Sequence, residues 1–129
     1  MALIFTLPSS NRNAGLYQIP AVNIPTGTSK AKFSILRNSW GNDGQIVVEY
    51  TIYFSGDGGA TWPVWIGDKL LGGIYIGRDG NPVAASTGSI DLASLPVPSL
   101  ADTANTQRRV KADITLNVTL NTGALIELN

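Results

Sequence analysis

The chain has neither cysteine nor histidine among its 129 residues. Without cysteine it can form no disulfide and no thiolate metal site, and without histidine it lacks the commonest general base and a common zinc ligand. Nucleophile systems that depend on an imidazole are excluded for the same reason. We therefore expect a protein that is not an enzyme and that holds no metal and no cofactor.

Charge is scarce and balanced. Nine Lys and Arg residues oppose nine Asp and Glu residues, and charged residues make up 14% of the chain, against roughly 25% in a typical domain. Because there is no basic excess, we expect neither nucleic acid nor a membrane surface as a partner. Low charge favours association, so we expect a homo-oligomer, such as a trimer.

Signals for export or membrane insertion are also missing. No stretch approaches the ~20 apolar residues of a membrane span. The N-terminal segment, Met1–Leu7, has no basic region and only a short apolar run before Pro8, which is unlike a secretory signal. We therefore expect synthesis in a cytoplasm without export by that route.

What the chain does contain is strand periodicity. Apolar and polar residues alternate over Gln45–Phe54 and over Arg109–Leu120, which is the period of a half-buried β-strand. Eight shorter strands are predicted between turn residues: Leu3–Leu7, Gly15–Ile19, Ala31–Arg37, Trp62–Ile66, Gly73–Ile76, Pro82–Ala85, Ser89–Leu92 and Ala124–Leu128. The pattern predicts an all-β protein, an antiparallel β-sandwich of about 8–10 short strands, of which a jelly roll is one form.

Turn and crossover signals punctuate these strands. We predict turns at Gly41–Gly44, at Asp79–Gly80 and at Asn121–Gly123, the last joining the final two strands. The proline-containing stretch Ser94–Thr103 is long enough to cross between two sheets, and a short helical turn near Leu100 is compatible with it.

The length and the 43% apolar content fit one domain, residues 1–129. Within it, residues 8–30 are rich in turn residues. This segment is either an ordinary surface loop followed by an edge strand or an extended arm that reaches over a neighbouring subunit.

Residues 55–62 match the Asp box, Ser-x-Asp-x-Gly-x-Thr-Trp, at every defined position. We predict that this octet forms a structural turn from five residues: Ser55, Asp57, Gly59, Thr61 and Trp62. The alternative for its carboxylate is a calcium site shared with Asp43 or Asp79, although no calcium-loop pattern is present. The octet occurs once, whereas a propeller would repeat it in every blade.

Aromatic residues cluster around the same hairpin. Tyr53, Trp65 and Tyr75 are candidates for sugar stacking on a sandwich face, and the alternative is packing into the core or a subunit contact. The alternation on either side of Pro63 predicts that Trp62 and Trp65 lie on opposite faces.

A small basic cluster lies at the start of the predicted strand Arg109–Leu120. Arg108 and Arg109, followed by Lys111, could meet an acidic patch on a partner subunit. The alternative is a solvated strand start.

Taken over residues 31–128, the chain resembles small virion structural proteins of tailed bacteriophages. The resemblance rests on a strand running into the Asp box, a proline-rich crossover, the strand from Arg108, and a closing segment, Asn121–Leu128. It implies a β-sandwich that, as a symmetric oligomer, decorates or cements a capsid or plugs into a tail. Its partners would be further copies of itself and the major capsid protein or another virion protein, and its location would be the virion after synthesis in the host cytoplasm.

Two other functions remain open from the residues alone. The first is a carbohydrate-binding module or lectin-like domain that uses its aromatic residues as stacking platforms. The second is a hydrolase that uses carboxylates converging in space.

Overall fold

The computed structural model describes residues 3–39, 46–66, 73–76, 83–116 and 119–129. These residues form short strands, one 3₁₀ turn (Leu92–Ser94) and one short helix, α1 (Pro98–Ala101). The strands are β1 Leu3–Arg12, β2 Gly15–Asn23, β3 Lys30–Ser39, β4 Ile46–Ser55, β5 Val64–Ile66, β6 Gly73–Ile76, β7 Val83–Ser86, β8 Ile90–Asp91, β9 Arg109–Leu116 and β10 Leu120–Leu128.

The strands make two antiparallel sheets. The first has the order β1-β10-β3, and β7 and β8 share its far edge by pairing with different parts of β3. The second has the order β2-β9-β4, and β5 and β6 share its far edge along β4 in the same way. Each sheet therefore has four strand positions, and the chain changes sheet at every connection except within β4–β6 and between β7 and β8, as in a double-sheet jelly roll. The predicted all-β sandwich is confirmed.

The core lies between the sheets, where alternate apolar residues of the long strands face the opposite sheet. On β9 buried and half-buried residues alternate along the whole strand, with Val110 and Ala112 fully buried. Phe33 of the first sheet stacks on Tyr50 of the second, with ring centroids 5.4 Å apart and an interplanar angle of 23°. Offset stacking of this kind adds to the apolar burial that holds the two layers together.

The end of the chain differs from the sequence prediction. Of the predicted strand Arg109–Leu120, the described residues Arg109–Leu116 form β9 and Leu120 already belongs to β10, and the predicted turn Asn121–Gly123 lies inside β10. Gly123 serves a close approach instead of a turn, since a Cβ there would lie 2.7 Å from the carbonyl oxygen of Leu7. The approach coincides with the register shift of β1 between Leu7 and Ser10.

The other predicted connections are placed as follows. Residues 8–30 contribute the end of β1, all of β2 and the connection to β3; that this segment reaches over a neighbour stays a prediction. The crossover contains the helical turn predicted near Leu100, and Leu100 is completely buried. The turns Gly41–Gly44 and Asp79–Gly80 lie outside the described residues.

Candidate functional site

The Asp-box turn connects β4 to β5 through a closed set of hydrogen bonds. Ser55 Oγ donates to Asp57 Oδ1 (2.7 Å) and accepts from the backbone N–H of Gly59 (2.9 Å). The backbone N–H of Thr61 donates to Asp57 Oδ1 (2.9 Å), and its hydroxyl donates to Asp57 Oδ2. Gly59 has φ +91°, a left-handed conformation that favours glycine. These hydrogen bonds link Ser55, Asp57, Gly59 and Thr61 within the turn; the structural role of the full five-residue set, which includes Trp62, stays a prediction.

This bonding stabilises the charged form of the carboxyl. The hydroxyl of Thr61, then its backbone N–H, then the hydroxyl of Ser55 lower the pKa of Asp57 from 3.8 to about 2. Asp43 and Asp79, the other members of the calcium alternative, lie outside the described residues. Both oxygens of Asp57 are already occupied by partners in its own turn.

The Asp-box turn packs against the crossover segment, residues 94–103, which contains α1. A Cβ on Gly56 would lie 2.2 Å from Ser99 Oγ, so only glycine permits this approach to α1. Asn105 Nδ2 donates to the carbonyl oxygens of Gly56 (3.1 Å) and Ser99 (2.5 Å) and so joins the two segments. The backbone N–H of Gly58 completes the contact by donating to the carbonyl of Gln107 (2.8 Å).

Arg108 lies in the interior and not at a surface. Its side chain is completely buried, and Nη1 donates to the carbonyl oxygens of Thr28 (2.9 Å) and Leu100 (3.4 Å). Nη2 donates to those of Pro25 (3.0 Å) and Thr103 (3.3 Å). The predicted interface role therefore does not match its position, because the guanidinium is used inside the chain. Its actual contacts tie the β2–β3 connection to the crossover.

The cation is held by dipoles and not by a direct ion pair. Burial lowers the pKa of Arg108, and the charge of Asp102 opposes that shift. Arginine stays protonated in proteins, so a full positive charge remains among these carbonyl groups. Nε of Arg108 is buried without a hydrogen-bond partner.

An aromatic surface lies on the outer face of the second sheet; we define it as Tyr53, Trp62, Trp65 and Lys111. Tyr53 pairs across strands with Trp65 on one side and with Lys111 on the other, which puts all three on the same face. Lys111 Nζ lies 5.3 Å from the Tyr53 ring centroid and 4.4 Å from that of Trp62. Trp65 is 53% exposed. The surface combines a free indole with a lysine fixed between two other rings.

The placement of Trp62 corrects a prediction. Because Lys111 touches its ring, Trp62 is on the same side of the sheet as Trp65 and not on the opposite one. The strand period failed here because residues 61–63 are outside any strand, and β5 begins only at Val64. Alternation cannot be counted across Pro63.

The two remaining predicted binding residues are Tyr75 and Arg109. Tyr75 pairs with Val47 along the backbone of β6 and β4, but its side chain lies outside what the structure describes. Arg109 is half-buried at the start of β9 and donates to the carbonyl oxygens of Thr106 (3.0 Å) and Arg108 (2.9 Å).

The described residues contain no group of three metal-ligating side chains and no helix long and apolar enough to cross a membrane. A cavity of about 290 Å³ lies beside Leu3 and Leu128 and is closed by residues 25–28 and Asn129. Its lining offers no acid, base or nucleophile pair of the kind that catalysis needs.

Comparison with solved structures places the fold among virus structures. A chain of infectious bursal disease virus, Gx strain, aligns with a TM-score of 0.53 and 11% identity over 98% of this chain and 33% of its own. The present chain therefore spans about a third of the viral chain, and at this identity the match shows the fold alone.

Two matches have lower scores. A chain of the Ralstonia phage GP4 capsid has a TM-score of 0.44 and 16% identity over 98% of this chain and 81% of its own. The CBM36-1 domain of a xylanase from the hindgut metagenome of Trinervitermes trinervoides has a TM-score of 0.45 and 11% identity over 100% and 97%. No family model and no curated protein sequence matches the chain.

Proposed function

We propose that the protein is a structural component of a bacteriophage virion, specifically a capsid decoration or cement protein. The observation that carries the proposal is the jelly-roll strand order, β1-β10-β3 with β7 and β8 in one sheet and β2-β9-β4 with β5 and β6 in the other. This architecture is used by viral capsid domains and by lectins. The fold match to a virus chain over 98% of the present chain supports the first of these uses.

Binding in this role would come from repeated, individually modest interfaces. A decoration protein meets many copies of its lattice, so weak contacts add up through multivalency. The aromatic surface suits such a contact, because tryptophan and tyrosine are enriched at interface centres. A neutral chain with 14% charged residues has little long-range repulsion to oppose assembly.

The proposal assigns no catalytic group. The most perturbed carboxyl, Asp57, has its low pKa because it holds a turn together. The most deeply buried cation, Arg108, is committed to four backbone carbonyls. Both groups are explained by the fold, so neither has to be explained by a reaction.

Purified virions of the phage that encodes the chain provide the test. Mass spectrometry should find the protein at a fixed ratio to the major capsid protein in particles banded on a density gradient. Added recombinant protein should saturate particles from which it has been stripped or genetically deleted. Its absence from banded particles, together with no saturable rebinding, would refute the proposal.

A carbohydrate-binding function is the second candidate, favoured by the 53% exposure of Trp65 beside Tyr53. Sugar rings stack on exposed indoles of this kind. A glycan array should then show binding that is lost in Trp65→Ala. Leu16→Ala is the matched control, because Leu16 is 54% exposed on β2 of the same sheet. An array without binding, or equal loss in both variants, counts against this candidate.

A further inference from the structure

The first half of β1 is an open sheet edge. Leu3–Leu7 pair with β10 on one side only, and within the described residues no strand lies on the other side. Leu3 and Phe5 pair with the buried Leu128 and Ile126 and so lie on the core side. Ile4 lies on the outer side. Leu3 is 42% exposed and Ile4 54%.

This edge lacks the protection that the other edges have. Proteins shield open edges with charge, proline, bulges or short strands. Leu3–Leu7 contain no charge and no proline, and the bulge and Pro8 come only after Leu7. The opposite edges are built of strands of two to four residues. At the β2 edge a charge is supplied by Arg12, the last residue of β1, whose guanidinium lies 5.0 Å from the ring centroid of Tyr17 on β2.

We propose that Leu3–Leu7 pair antiparallel with the same segment of a second copy, around a two-fold axis at Phe5. In this register Leu3 lies opposite the second copy's Leu7 on the core side, and Phe5 lies opposite Phe5. Ile4 lies opposite Thr6 on the outer side. The backbone groups left open at the edge find partners, and the first sheets of both copies become one continuous sheet.

The segment suits its own copy better than an unrelated strand. Its core-side residues, Leu3, Phe5 and Leu7, are symmetric about Phe5, so a two-fold axis places leucine against leucine and phenylalanine against phenylalanine. No charged residue in the segment opposes self-pairing. The inference rests on the self-association contained in the proposed function and specifies one surface that would produce it.

A charge swap across the two-fold axis tests both the surface and the register. In the double variant Ile4→Lys/Thr6→Lys, each lysine lies directly opposite a lysine of the second copy, so the interface contains two lysine–lysine pairs. We expect the association constant to fall by at least about tenfold, because like charges directly opposite repel. In Ile4→Lys/Thr6→Glu each lysine meets a glutamate of the second copy, and association should return to within a few-fold of wild type.

Sedimentation equilibrium from about 1 µM to about 1 mM measures these constants. The matched control is Leu16→Lys/Gln18→Lys, which puts the same charges on the edge strand of the second sheet and should leave association unchanged. Thermal melts of all variants confirm that each one folds.

Three results would overturn the pairing: a wild-type protein that stays monomeric, association that survives the double lysine variant, or equal loss in the lysine–glutamate variant. Failure here is distinguishable from failure of the proposed function. A protein that binds virions without pairing through β1 would retain its structural role and lose only this interface.

Discussion

Replacing Arg108 by methionine tests whether one buried cation holds the connections of the fold together. The guanidinium donates to the carbonyls of Pro25 and Thr28 on one side and of Leu100 and Thr103 on the other. Methionine keeps much of the side-chain length but has no donor. The substitution would therefore leave these carbonyls without this donor, and those of Thr28 and Leu100 belong to buried residues.

The expected loss follows from two opposing terms. Hydrogen bonds to a charged group are each worth about 1.5–3 kcal/mol net, so four of them sum to about 6–12 kcal/mol, which is comparable to the whole stability of a domain. Burying the guanidinium itself costs several kcal/mol, which is recovered when it is removed. The difference between the two terms is a net loss of about 3–5 kcal/mol. For 129 residues that corresponds to a Tm lower by about 11–18 °C.

Urea titration followed by tryptophan fluorescence, with a thermal melt in parallel, measures the change. Arg108→Lys should give an intermediate loss, because an ammonium keeps the charge but lacks the planar fork that reaches two pairs of carbonyls. Arg109→Met is the control; Arg109 is half-buried at the next position, and we expect about 1 kcal/mol or less. An Arg108→Met variant within about 1 kcal/mol of wild type would refute the reasoning.

Three further predictions concern the turn and the close approaches. In thermal melts, Asp57→Asn should lower the Tm most at pH values well above 3.8. The difference in Tm from wild type should vanish as the pH falls toward about 2, because the carboxylate of the folded wild-type protein then protonates. A difference in Tm that is independent of pH would contradict this. Gly56→Ala should cost about 1–3 kcal/mol in urea titrations, and adding Ser99→Gly should recover part of it by removing the atoms that the new methyl group meets. Gly123→Ala should cost about as much, since its Cβ would lie 2.7 Å from the Ser9 backbone nitrogen, and an unchanged midpoint would show that β1 can move away.

Strand periodicity was sufficient to predict the sandwich. Alternation over β4 and β9 identified the strands that lie in the middle of the second sheet, because one buried face imposes a strict period of two. The predictions failed where a residue's role depends on distant segments. Gly123 looked like a turn glycine, and its true constraint is the backbone of β1 passing beside it.

The candidate site was also predictable only in part, and again the local features were predictable and the long-range ones were not. The Asp-box turn was predictable residue by residue, because its hydrogen bonds join positions within four residues of each other. The role of Arg108 was not, since its partners lie up to 83 residues away and no local pattern marks them. Asn105, which joins the turn to α1, carried no signal in the sequence beyond its place in a polar loop.

The strand order also limits how the chain can fold. Among the described residues, β4 and β5 are the only consecutive strands that pair with each other, and the Asp-box turn joins them. Every other pairing has to close a long loop, which is slow. β1 gains its neighbour in the sheet only when β10 has been synthesised. During translation the hairpin at residues 55–62 is therefore the earliest native β pairing available, and the apolar strand β1 stays unpaired until residues 120–128 have been made.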